Sequence, residues 1–123
     1  MSDDAGSRSN AALELVAGKW HLVDVAADEA HIPHHRVDLI FHADADQLRG
    51  AILSRVSGHE IPLATVQFDG DVLRLQMMAP KDQDQSDMPF LVMHRTNGHF
   101  EGAWIPAGPT ARDLKLVRNR RQP

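Results

Sequence analysis

From Lys19 to the end of the chain, apolar residues recur at every second position in short runs, and turn signals separate most of the runs. That period belongs to β-strands, whose side chains alternate between two faces. The runs fall at about 19–25, 37–43, 48–56, 60–68, 71–78, 89–96, 99–105 and 112–119. Asp69-Gly70 and Asn97-Gly98 are the dipeptides of type I′ hairpins, in which both central residues take positive φ. Ser57-Gly58 is a weaker version, and Asp44-Ala45-Asp46 and Pro106-Ala107-Gly108-Pro109 are further breaks. A meander of eight short strands avoids exposed edges by closing on itself. The expected fold is all-β: an eight-stranded antiparallel up-and-down barrel, with a β-sandwich as the second arrangement.

Ahead of the strands, Asn10–Gly18 reads as a short helix, with Ser9 or Asn10 as N-cap and Gly18 as its stop. So short a helix is marginal alone and needs something to pack across. Residues 1–9 are polar and read as a disordered leader, which leaves 10–121 as a single domain.

Composition narrows the function classes. The 123 residues suit one domain with a core of its own. A formal net charge of −4 argues against nucleic acid, which is bound through clustered Lys and Arg. The basic run Arg118-Asn119-Arg120-Arg121 reads as a solvated tail. With no cysteine, disulfides, thiolate metal sites and a Cys nucleophile are excluded. The start of the chain has neither the basic nor the apolar segment of a secretion signal, and no apolar run has transmembrane length. The expectation is a cytoplasmic protein that binds neither nucleic acid nor membrane, with a homodimer left open.

Gly18-Lys19-Trp20 after a short helix, then a strand meander closing on Leu114-Lys115-Leu116-Val117-Arg118, resembles the lipocalin and wider calycin families. Gly50–Leu53, Ile61–Leu73 and Phe100–Trp104 are similar to stretches of small bacterial lipocalin-like domains. The likeness loosely covers residues 10–119. It lacks the lipocalin cysteines, and the chain is shorter than a typical secreted lipocalin. It implies a closed barrel end at which Trp20 stacks on Arg118, a cation–π contact worth about 0.5–2 kcal/mol. It also implies a container, hence a ligand.

Alternation nominates the candidate residues. Phe90, Met93, Phe100, Trp104 and Met77 are candidate walls for a small apolar ligand. Met77, Met78, Met88 and Met93 cluster in sequence around the long 79–88 loop, where adaptable thioethers could line a pocket or fill core gaps. His94, Glu101 and Arg74, one from each of three consecutive strands, form the best polar set. Arg could hold a carboxylate or enolate, His could move a proton, and Glu could orient either. The same three could equally be surface cross-strand pairs.

His31, His34 and His35 share the 26–36 loop with Pro33, which breaks helical spacing. They read as a polar rim at a barrel mouth, and no metal or cofactor is expected. No phosphate loop, dinucleotide fingerprint, nucleophile elbow or zinc-hydrolase motif occurs. Three functions follow in order. The first is binding of a small hydrophobic molecule in the barrel lumen. The second is a cofactor-independent cyclase or isomerase acting on a polyketide- or polyene-like substrate. The third is a filled barrel serving as a structural or interaction module.

Overall fold

The computed structural model describes residues 13–28, 31–33, 36–44, 47–105 and 113–119. Nine strands form one antiparallel sheet: β1 (Gly18–Asp24), β2 (Val37–Asp44), β3 (Gln47–Leu53), β4 (Glu60–Pro62), β5 (Thr65–Phe68), β6 (Val72–Gln76), β7 (Phe90–Thr96), β8 (His99–Ile105) and β9 (Leu114–Arg118). Their order across the sheet is β4-β3-β2-β1-β9-β8-β7-β6-β5. Residues 13–16 are helical, and residues 10–12 of the expected helix lie outside the described residues, as does the 1–9 leader. Gly18 opens β1 instead of serving only as a helix stop.

The expected eight strands become nine because 60–68 is not one strand. Residues 60–62 pair with β3 and residues 65–68 pair with β6. Between them, Leu63 N–H donates to Gly50 O and Ala64 N–H donates to Gln76 O. Pro62 carries no N–H to extend a ladder. The apolar phase also slips by one residue, from Ile61 and Leu63 to Val66 and Phe68, as at a bulge. The two end strands of the sheet are thus consecutive in sequence and meet at this corner. The result is one curled sheet that forms a half-barrel, its two end strands linked through the corner and not paired with each other; it is neither a closed barrel nor a sandwich.

Cross-strand pairing carries one row of side chains around the concave face. Trp20 pairs with Leu39, Leu39 with Ile52, Leu73 with Met93, and Phe100 with Leu116. Trp20, Phe41, Leu73, Leu91, Met93, Phe100 and Leu116 are all at most 2% exposed, so the middle of the curl is a packed core. Trp20 meets Phe100 edge-on at 5.5 Å, and Phe100 meets Phe68 at 5.7 Å. Gly102 lies in this row opposite Met93, and a Cβ there would collide with the Val92 carbonyl oxygen. A glycine at that point lets β8 lie close on β7.

The turns follow local chemistry. Asn97 and Gly98 both have positive φ (46° and 87°), as a type I′ turn requires. Asp69-Gly70 is not a second one. Among the described non-glycine residues only Asn97 has positive φ, so Asp69 stays in ordinary backbone, while Gly70 is at 104°. Asp69 N–H donates to Val72 O across the turn, which makes Gly70 and Asp71 its central pair. Glycine at the first central position is the type II′ pattern.

Candidate functional site

One end of the curl is sealed. Trp20 Nε1 donates to Val16 O at 2.7 Å, which ties the ring to the helix. Arg118, the cross-strand partner of Trp20, lies 4.4 Å over the ring centroid. Its guanidinium donates to Ala17 O (2.8 Å) and Leu15 O (2.6 Å), satisfying carbonyls at the helix C-terminus. Gly18 takes φ +118°, and a Cβ there would come within 2.9 Å of Arg118 Nη1. Gly18, Trp20 and Arg118 therefore work as one plug.

The seam beside that plug is different. β5 pairs only with β6, and β4 pairs with β3 only over Ala51–Leu53. Among the described residues no strand pairs with Gln47–Arg49 on the side away from β2. The two unpaired edges flank a slot with two lobes, of about 400 and 360 Å³. The lobes share Leu48, Val66 and Gln67. The first is closed by Leu13 and Phe68, and the second reaches Leu63 and the corner. Leu48, Leu63, Val66 and Phe68 pack against the core yet stay partly exposed. Gln47, Arg49 and Gln67 alternate with them along the strands and are exposed. The slot is apolar toward the core and polar toward water.

The residues nominated from sequence do not converge there. Met93 and Phe100 are in the concave row but fully packed, at 0% and 1% exposure. Trp104 shares that row and is half-buried. Phe90 pairs with Gln76 and Ile105 on the convex face, and Met77, just past β6, is exposed.

His94 and Glu101 are cross-strand partners on the convex face, and Arg74 lies there opposite Val92. Arg74 and His94 are exposed. Glu101 is instead bonded to His99 Nε2, at 2.7 Å. His31 pairs with Asp28, while His34 and His35 lie outside the described residues. Among the described residues no group of three or more His, Asp or Glu could hold a metal ion.

The loop after β6 is pinned in place. Gln76 is 4% exposed, and its Nε2 donates to Gln85 O and Met88 O. The Gln85 carboxamide returns bonds to Met77 O and Ala79 N–H. The segment is a pinned hairpin connection between the neighbouring strands β6 and β7, and the methionines around it are spread between solvent and core, with Met78 58% and Met93 0% exposed.

A polar cluster that the sequence reading did not single out lies on the convex face of β1 and β2. His21 Nδ1 is 2.8 Å from Asp38 Oδ1, which also accepts from Arg36 Nε at 2.8 Å. Arg36 Nη1 donates to Pro33 O, and Lys115 Nζ donates to Ala27 O. These bonds tie Ala27, Pro33 and Arg36 to the sheet. The period-two pairing of His21 with Asp38 was the available signal.

No family model, no curated protein and no solved structure matches this chain. Among the described residues no helix is long and apolar enough to cross a membrane.

Proposed function

We propose that the protein binds a small apolar molecule, held in the slot between β3 and β5. The observation that carries this reading is the partly exposed set Leu48, Leu63, Val66 and Phe68 beside two unpaired strand edges, along lobes of about 400 and 360 Å³. Ligand pockets run to roughly 300–1,000 Å³ and are lined mainly by apolar groups with a few polar ones. A central lumen is a poorer host, because Trp20, Phe41, Met93 and Phe100 already occupy it. The lipocalin-like resemblance is part of the proposal, supported by the Gly18–Trp20–Arg118 plug and by the curled sheet. Binding is favoured over catalysis because none of Arg74, His94 and Glu101 lines the slot; all three lie on the convex face, with Arg74 the cross-strand partner of Gln67.

The test is titration with an environment-sensitive apolar fluorophore. Saturable binding is expected for the native chain, weakened at least about tenfold in both Leu48→Arg and Val66→Arg, since seating an apolar ligand would then desolvate the introduced charge. Equal binding by all three proteins would contradict the assignment.

A further inference from the structure

The exposed apolar side chains are gathered at one end of the molecule. Strand direction alternates across the sheet, so the β1–β2, β3–β4, β6–β7 and β8–β9 connections all lie at the end away from the plug. Among the described residues every exposed large apolar side chain except Leu15, on the helix, belongs to those connections or to the strand ends that flank them. They are densest around the β6–β7 connection. Met77 and Met78 leave β6 exposed, and Ile105 ends β8 at 57% exposure. Half-buried Phe90 is the register partner of Ile105 and of Gln76, the residue that precedes Met77. The exposure does not come from a loose loop. The Gln76 and Gln85 carboxamides tie the connection to itself at Met77 O, Ala79 N–H, Gln85 O and Met88 O. A fixed loop that holds thioethers out in water can be covered by a partner at little ordering cost. None of these residues lines the slot.

The neighbouring charges select the occupant. The same connection carries exposed Asp82, Asp84 and Asp87 against one cation, Lys81. Asp84 Oδ1 accepts from Ser86 N–H, which fixes this acidic stretch as well. A second copy joined about a two-fold axis would set one acidic loop against another, and an anionic lipid surface would repel it. An apolar stripe bordered by Lys and Arg matches both the methionines and the carboxylates, and a basic amphipathic helix presents that pattern. We infer that this end docks a basic amphipathic helix of another protein. Its apolar stripe lies on Met77, Met78, Phe90 and Ile105, and its cations face Asp82, Asp84 and Asp87.

The experiment titrates the full chain into a fluorescein-labelled helical peptide of Leu and Lys, with Leu at helical spacing, and into a Leu–Glu peptide of the same pattern. The Leu–Lys peptide is expected to bind saturably and at least about tenfold more tightly than the Leu–Glu peptide. Met78→Ser combined with Ile105→Ser, both exposed changes, should weaken that binding about tenfold. Asp82→Asn with Asp84→Asn should weaken it severalfold and reduce its salt dependence. Val56→Ser, exposed on the β3–β4 connection, should leave it unchanged. No saturable binding of the Leu–Lys peptide, equal binding of both peptides, or binding that survives the Met78 and Ile105 changes would overturn the inference, the last by showing charge attraction alone. So would a free chain that sediments as a dimer split by Ile105→Ser, or one that phosphatidylcholine vesicles capture in preference to the peptide.

Discussion

The sealed end and the slot are built from the same sheet, yet they are specified very differently. At the sealed end each polar group has a partner: the indole N–H binds Val16 O, and the guanidinium binds Leu15 O and Ala17 O while covering the ring. At the slot, two strand edges stand side by side without a ladder between them, and apolar side chains remain partly open to water. Natural sheets usually cover or charge such edges. An edge left open over an apolar row suits a surface meant to be covered by a ligand. The plug is built for stability, and the slot is the region that the proposed function uses.

The largest expected effect belongs to the plug. Trp20→Ala removes a 2% exposed indole and its bond to Val16 O, and should cost about 3–5 kcal/mol in urea unfolding. A loss under about 1 kcal/mol would show that the plug is not a stability element. Gly102→Ala comes next. Its Cβ would press on the Val92 carbonyl oxygen, main chain that cannot swing away as a side chain could. A cost of about 1–3 kcal/mol is expected, as for other overpacked sites.

The slot should respond in the opposite sense. Leu48→Arg should change stability by less than about 1 kcal/mol, because the side chain is only partly buried and can turn outward in the free protein, although it weakens fluorophore binding at least about tenfold. A stability loss as large as that of Trp20→Ala would erase the distinction between the two regions.

The smallest effect lies in the 69–72 turn. The Asp69 carboxylate accepts from the Val72 and Asp71 backbone N–H groups, at 2.8 and 2.9 Å, and these hold its pKa below the usual carboxylate range. A carboxyl group with a lowered folded pKa stabilises the fold above its unfolded pKa. That contribution fades as pH falls through the lower, folded value. Asp69→Asn should therefore flatten the acid side of the stability profile, with little difference from the native chain at the acid extreme. Identical pH profiles would contradict the assignment.

Much of the fold could be read from the sequence because alternation and turn chemistry are local. The strand runs fell within a few residues of the observed elements, and Asn97-Gly98 formed its turn as read. Trp20 and Arg118 met as the resemblance implied. The corner was missed although its signal was present: Ile61 and Leu63 are out of phase with Val66 and Phe68, and Pro62 stands between. Reading 60–68 as one strand hid the seam, and with it the slot.

The candidate wall residues were chosen for apolar character, and that property drew Met93 and Phe100 into the core instead of leaving them free to face a ligand. The polar set was placed on neighbouring strands correctly. Alternation alone could not say that its face is convex. That depended on which way the sheet curls, a property of the whole sheet.

The division between plug and slot can be read directly by amide hydrogen exchange with and without the apolar fluorophore at saturation. Fast exchange is expected along Gln47–Arg49 and along the open edge of β5 in the free protein. With ligand, new protection should be confined to those segments and to the corner at residues 63–64, while β7 and β9 stay unchanged. Protection that instead appears around Trp104 in β8, or no change anywhere under saturating ligand, would contradict it.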